Sequence, residues 1–179
     1  MFKTTEDSRI QISELMKPSH ANFGGKIHGG YILSLMDNIA FACASKHSRS
    51  YCVTASVNKV NFLNPIEVGE LVTMKASVNY VGRSSMVVGI RVESENIRTG
   101  ETKHCNSSYF IMVAIDEDGK TVPVPGLILT NKLAAKRFLK SIIRQESDTK
   151  RSTDLAHLYK NVEQHLDKLK DYKVQIDFK

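Results

Sequence analysis

The eighteen residues from His28 to Ser45, HGGYILSLMDNIAFACAS, hold one formal charge among them, the carboxylate of Asp37. Their apolar side chains recur at helical spacing in two overlapping stripes. Ile32, Leu35, Met36, Ile39 and Cys43 make one; Leu33, Ala40, Phe41 and Ala44 make the other. A helix that is apolar almost all round has to be enclosed, so the rest of the chain must wrap this segment. Asp37 shares the second stripe with Leu33 and Ala40, which predicts a carboxylate inside a buried helix. Taking an ionised carboxylate out of water is costly unless it is paired. Asp37 therefore either bonds a nearby backbone group or has chemistry to do.

Beyond the helix the period changes from helical to alternating. Tyr51–Phe62, Leu71–Val81, Ser85–Ile97 and Thr102–Ile115 read as strands. Gly82-Arg83-Ser84, the residues 98–101 and the Asp118-Gly119 pair supply the turns between and after them. The expectation is an α+β fold in which one long central helix is wrapped by an antiparallel meander. After Pro125 the composition shifts. Residues 131–145 and 154–172 each place apolar residues on one helical face, and the polar stretch 145–153 reads as a break between two helices. The expected organisation is a main domain over residues 8–125 and a basic helical C-terminal extension over 126–179.

Charge separates the same two regions. Residues 1–125 carry 13 Lys and Arg against 12 Asp and Glu, so the body is nearly neutral; residues 126–179 carry 12 against 7, so the basicity belongs to the extension. Acidic residues are interleaved throughout it and no helix-turn-helix or comparable motif is present, so a solvated helix face is expected rather than a nucleic-acid partner. The first ten residues include acidic side chains and no apolar run, unlike a secretory signal, and nowhere do 18 apolar residues run together, so no membrane span is expected. Cys43, Cys52 and Cys105 have neither Cys-x-x-Cys spacing nor a His pair at ligand spacing. They read as reduced core thiols of a cytoplasmic protein, with no metal site.

The helix is fed by a Gly-rich loop, His20-Ala-Asn22-Phe-Gly-Gly-Lys-Ile-His28-Gly29-Gly30. Backbone N–H groups at a helix start lack intrahelical partners and sit at the positive end of the helix dipole. The N–H of Gly30 is thus a candidate oxyanion donor. Asn22 brings an amide that can polarise a carbonyl or hold a water, and Asp37 a carboxylate that can act as base or nucleophile. Together these groups suit acyl transfer. His28 reads as a structural loop residue that could also reach a substrate.

Four motifs occur in order: His20-x-Asn22-x-x-Gly25-x-x-x-Gly29-Gly30; Leu35-Met36-Asp37; Val60-Asn61-Phe62-x-x-Pro65-Ile66-x-Val68-Gly69-Glu70; and Tyr80-x-Gly82-Arg83-Ser84-Ser85-Met86. In this the chain resembles the hotdog-fold acyl-CoA thioesterases, the small bacterial acyl-CoA hydrolases and the brain-type acyl-CoA hydrolases. The likeness runs from about Ser13 to Pro125. It implies a hydrolase that splits acyl-CoA into CoA and a carboxylic acid, with no cofactor beyond the coenzyme A of its substrate. It also implies homodimers, commonly assembled as trimers of dimers into a homohexamer, with Asn22 and Asp37 acting together from opposite protomers. By the same resemblance Gly29, Gly82, Arg83, Ser84 and Ser85 would meet CoA, Arg83 as a phosphate-binding fork. Two other readings remain at this point. A hotdog hydratase or dehydratase would use a loop histidine such as His20 with Asp37, and a non-catalytic acyl-CoA-binding regulator would bind without turnover.

Overall fold

The computed structural model describes residues 1–160, 162–175 and 177. The chain divides into two compact units, Met1–Phe138 and Leu139–Lys179.

In the first unit, β1 (Phe2–Thr4) leads into a one-turn helix, α1 (Thr5–Ser8), capped by Thr4, and then β2 (Ile10–Leu15). The central helix α2 spans Gly29–Ser48. It is followed by β3 (Tyr51–Val57), β4 (Leu71–Val81), β5 (Ser85–Glu95), β6 (Thr102–Ile115) and β7 (Gly126–Ile128). Five strands form one antiparallel sheet in the order β2-β4-β5-β6-β3, while β1 and β7 pair in parallel apart from it. The α+β expectation of a long helix against an antiparallel sheet is met.

Two details differ from the sequence expectation. A strand before the helix, β2, joins the sheet, and only β4-β5-β6 is a meander, because β3 crosses to the far edge to pair with β6. The strand predicted over 51–62 also stops pairing as β3 at Val57. Beyond it the chain follows β6 through single bonds, Asn58 N–H to the Tyr109 carbonyl (2.9 Å) and Leu63 N–H to the Cys105 carbonyl (2.9 Å).

The alternation that predicted the strands decides what they bury. Val72, Met74, Ala76 and Val78 of β4, Met86, Val88, Ile90 and Val92 of β5, and Phe110, Met112 and Ala114 of β6 are buried in one cluster. Against them α2 sets Ile32, Met36, Ile39, Ala40, Cys43 and Ala44. Burying a side chain such as Ile32 or Met36 stabilises the fold by about 1.5–3 kcal/mol.

The helix α3 (Lys132–Lys160) starts with Asn131, whose Oδ1 accepts from the Ala134 N–H at 2.9 Å, and in the first unit its Phe138 ring lies 4.8 Å from that of Tyr80. The break predicted at 145–153 does not exist. The stretch is polar but holds no Gly or Pro, so nothing in its backbone ends a helix. Its hydroxyls also bond the preceding turn: Ser147 to the Ile143 carbonyl (2.8 Å), Thr149 to Gln145 (2.9 Å) and Ser152 to Asp148 (2.9 Å). The second unit continues as a 3₁₀ segment over Val162–Asp171.

Candidate active site

The loop before α2 is shaped by Asn22. Its Oδ1 accepts from the N–H groups of Gly24 (2.9 Å) and Lys26 (3.2 Å), and its own N–H donates to the Lys26 carbonyl at 2.7 Å. The turn closes through Gly25, whose φ of +76° favours glycine. With the amide oxygen engaged by the loop, the Nδ2 donors are what Asn22 can offer a substrate, which suits polarising a carbonyl better than accepting from water.

His28 caps α2. Its Nδ1 accepts from the Gly30 N–H at 3.0 Å, and a Cβ on Gly30 would lie 2.7 Å from the His28 Cε1, so a larger residue there would displace the imidazole. The N–H expected to be an open oxyanion donor is therefore occupied, because the imidazole satisfies a helix-start donor that would otherwise lack a partner. A substrate oxygen reaches it only if His28 swings aside.

Asp37 corrects the expectation of a buried carboxylate. It is exposed, as are its neighbours Ser34, Asn38 and Phe41. The helix packs one face on the sheet and leaves the face of Asp37 open. The Thr54 hydroxyl of β3 donates to its Oδ1 at 2.6 Å, fixing the carboxylate at a cleft of about 540 Å³ lined by Gly30, Leu33, Val57, Val60 and Phe110. Largely apolar walls beside one held carboxylate suit an acyl thioester, whose apolar chain adjoins a polar carbonyl.

Within one chain Asn22 does not share that cleft. It lines another, of about 420 Å³, with Gly29, Ile32, Phe62 and Pro65. The adjacent glycines Gly29 and Gly30 thus face different clefts. The turn carrying Gly82, Arg83, Ser84 and Ser85 lines neither; it joins β4 to β5, with the Gly82 N–H bonded to the Ser85 carbonyl at 2.8 Å and the Arg83 side chain exposed.

His20 stacks on Tyr31 with ring centroids 3.9 Å apart, and its Nδ1 accepts from the Lys17 N–H at 3.3 Å. It does not line the Asp37 cleft. The three cysteines are buried, and burial pushes the Cys43 thiol up to about 12, far from a nucleophile's range. Among the described residues no cluster of His, Cys, Asp and Glu could hold a metal ion, and no helix is long and apolar enough to cross a membrane.

Residues 24–101, the span holding Gly30, Asp37, Thr54 and the Gly82–Ser85 turn, match the thioesterase superfamily. The Bacillus subtilis (strain 168) uncharacterized acyl-CoA thioester hydrolase YkhA is 36% identical over 123 residues, 69% of this chain and 72% of that one. This chain belongs to the thioesterase superfamily.

Other relatives extend the match. The Helicobacter pylori (strain ATCC 700392 / 26695) protein VdlD is 41% identical over 147 residues, 82% of this chain and 84% of that protein. The rat cytosolic acyl coenzyme A thioester hydrolase is 30% identical over 75% of this chain but only 36% of its own length. Among solved structures, an apo-hexameric acyl-CoA thioesterase superposes with a TM-score of 0.82 at 36% identity, covering 84% of this chain and 97% of that one. The Staphylococcus aureus acyl-CoA hydrolase, solved with butyryl-CoA, CoA and CoA disulfide, superposes with a TM-score of 0.80 at 26% identity over 91% and 99% of the two chains. Structures of that hydrolase with an aspartate, an asparagine or a threonine changed to alanine match as well. The fold is the hotdog fold.

Thr54 is the site residue that the sequence reading passed over. In sequence it is one more β-branched residue of a strand, 17 positions from Asp37.

Proposed function

We propose that this protein hydrolyses acyl-CoA to CoA and a carboxylic acid in two equivalent sites per dimer, each pairing Asp37 of one protomer with Asn22 of the other. The acyl-CoA thioester hydrolase activity follows from the superfamily and from relatives named for that reaction. The observation that carries the shared site is the separation of the two side chains into different clefts of one chain. From Gly30 to Asp37 the helix rises about 10 Å, and Asn22 lies in the loop before it. A two-fold axis can set each chain's loop against the other's helix.

An exposed apolar surface beside Asp37 supports such an axis. Around Asp37 the exposed side chains include Phe41, Tyr51, Val53 and Val57, the last three on β3, which is an edge strand of the sheet. An apolar edge of this kind asks to be covered. Assembly as a trimer of dimers, in the manner of the hexameric thioesterase, fits this reading.

In the proposed site Asn22 polarises the thioester carbonyl through Nδ2. Asp37, oriented by Thr54, drives acyl transfer by activating water or attacking the carbonyl carbon. The Gly82–Ser85 turn receives the nucleotide part of CoA, with Arg83 bidentate to phosphate and Gly29 allowing close approach. The residue types changed in the Staphylococcus aureus hydrolase structures, Asp, Asn and Thr, are those of Asp37, Asn22 and Thr54. Residues 8–125 form the catalytic domain on this reading and 126–179 an extension, in a cytoplasmic enzyme.

Thiol release from acyl-CoAs of two to sixteen carbons tests the reaction on a scale that enzymes of this kind reach, roughly 1–10³ per second. CoA should appear with stoichiometric carboxylic acid. Hydration or dehydration without thiol release would assign the site to a hydratase, a reading that the engagement of His20 with Tyr31 disfavours. Tight binding without turnover would make the protein a regulator.

A further inference from the structure

The outer face of the sheet, turned away from α2, carries a cavity that the proposed site does not use. Lys75 of β4 stands opposite Arg91 of β5, and Arg91 opposite Ser107 of β6; two residues along, Ser77 stands opposite Gly89 and Gly89 opposite Tyr109. The neighbours of these residues along the strands, Met74, Val88 and Val92 among them, point into the core, so both rows face outward. With Arg9 before β2, Asn79 of β4 and Arg137 of α3 they line a cavity of about 540 Å³ in the first unit. None of these residues lines the Asp37 cleft or the Asn22 cleft.

Charge and hydrogen bonding say what the cavity accepts. Its lining holds four cationic side chains, Arg9, Lys75, Arg91 and Arg137, and no carboxylate. Residues 1–125 carry 13 Lys and Arg against 12 Asp and Glu, so this is a local concentration in a nearly neutral body. Like charges directly opposite on a sheet repel. Lys75 and Arg91 share one carboxylate, Glu93, at 2.7 Å from each, and Arg9 bonds Glu6 at 2.6 Å. Four cations thus meet two carboxylates, in half-exposed pairs of the kind that hold their partners weakly. Asn79 adds a second, independent sign. It is the extra residue where the β4–β5 register shifts, a bulge of the kind that re-aims a side chain. The side chain is 4% exposed, and its Oδ1 accepts from the Ser77 hydroxyl at 3.2 Å. Its Nδ2 makes no hydrogen bond among the described residues. A Cβ on Gly89 would collide with that Nδ2, so the bare strand position makes its place. A buried donor without an acceptor, ringed by cations, calls for negatively charged oxygens.

We infer that this cavity binds a diphosphate group, held by Arg91, Lys75, Arg9 and Arg137 with the Asn79 Nδ2 beneath it. The volume falls in the range of small-molecule sites, roughly 300–1,000 Å³. Two phosphates engage cations that rise from the sheet centre, the β2 edge and α3 at once. Free diphosphate and the diphosphate of a nucleotide offer the same oxygens; Tyr109, also in the lining, gives a base a ring to lie against. The site stands whether or not the clefts hydrolyse acyl-CoA.

Calorimetric titration of the full-length protein with pyrophosphate, ADP and inorganic phosphate, at fixed ionic strength and without CoA, tests this. Pyrophosphate should bind once per chain, roughly tenfold or more tighter than inorganic phosphate. ADP binding tighter than pyrophosphate identifies a nucleotide as the ligand; equal or weaker ADP binding identifies free diphosphate. Lys75→Gln/Arg91→Gln alters two half-exposed residues and should fold, with pyrophosphate affinity lowered roughly tenfold or more. Asn79→Ala should lower it severalfold, which a loose surface patch of cations would not show. Arg83→Gln, in the turn offered to CoA, should leave it unchanged. The inference is overturned by absence of pyrophosphate binding, by inorganic phosphate binding as tightly, or by loss of binding in Arg83→Gln. It is equally overturned by wild-type affinity in folded Lys75→Gln/Arg91→Gln or folded Asn79→Ala; if Asn79→Ala does not fold, the double variant decides.

Discussion

The two faces of α2 are built to different degrees of completion. The face toward the sheet, from Ile32 through Met36, Ala40 and Cys43 to His47, is buried along its length and closed by strands of the same chain. The other face carries Leu33, Ser34, Asp37 and Phe41, and a single chain covers it incompletely: Phe41 is 37% exposed and the adjoining Tyr51 62%. Both faces contain apolar residues, so both look like core in the sequence. Apolarity records that a surface will be covered without recording by which chain. On the packed face a titratable group, His47, has been stripped of water; on the open face Asp37 still awaits its surroundings. Changes on the open face should cost activity, and changes on the packed face should cost stability.

The sharpest break of that contrast is Asp37→Asn. The substitution keeps the shape and removes the carboxylate, so kcat should fall by about 10²–10⁴ while circular dichroism and melting temperature stay near wild type. Stopped assays of thiol release would measure it. A variant with near-normal kcat removes Asp37 from the chemistry.

Next in size is complementation between chains. Asn22→Ala and Asp37→Ala should each be nearly inactive alone. Mixed dimers would pair one doubly altered site with one intact site. With random assembly about half the dimers are mixed, so activity should return to about a quarter of wild type. Differently tagged chains purified in tandem establish that mixing occurred. Mixed dimers as inactive as their parents would place Asn22 and Asp37 in the same chain's site, and the open face would need another explanation.

Thr54→Val deletes the hydroxyl bonded to Asp37 and keeps the β-branched shape. Hydrogen bonds to charged groups contribute about 1.5–3 kcal/mol, so kcat should fall roughly tenfold or more with little change in KM. An unchanged kcat would mean that Asp37 is oriented by something other than this bond.

How much was legible follows from the same distinction. Strands β4 and β6 could be read to the residue because Val72-Met74-Ala76-Val78 alternate with polar residues in β4, and turn residues at 98–101 and 116–119 bound β6 on both sides. β2 was passed over because it offers only Ile10 and Ile12 before Ser13 and Glu14, too brief an alternation to stand out. The helix was evident and the candidate Asp37 with it. Its exposure was not, since a partly covered apolar stripe has the composition of a core. The occupied N–H of Gly30 could have been suspected from His28 at the N-cap position, where a side-chain acceptor is favoured.

The smallest predicted effect tests the packed face. The Pro125 carbonyl can only accept, so the His47 Nε2 that lies 3.0 Å from it carries the proton. The Nδ1 is then the bare acceptor, buried and without a partner among the described residues. A proton arriving there would place a charge on a ring shielded from water. Burial accordingly pushes the His47 pKa down; the Pro125 bond opposes this, Lys3 of β1 adds to it and Asp7 of α1 opposes it. The unfolded chain titrates near the ordinary histidine value of about 6.5. Between that value and the lower folded one, the unfolded state binds more protons, so stability present above pH ~6.5 is lost as pH falls through that window. The lowered carboxylates Asp7, Glu70 and Glu93 act in a different window, losing their contribution only as pH falls below about 4. Melting temperature should therefore decline between pH 7 and 5, before the carboxylates respond. His47→Gln, which can still donate to Pro125 but does not titrate, should flatten that decline at some cost at pH 8. If wild type and His47→Gln melt in parallel from pH 8 to 5, the packed face holds no proton-sensitive group, and the contrast with Asp37 lies in burial alone.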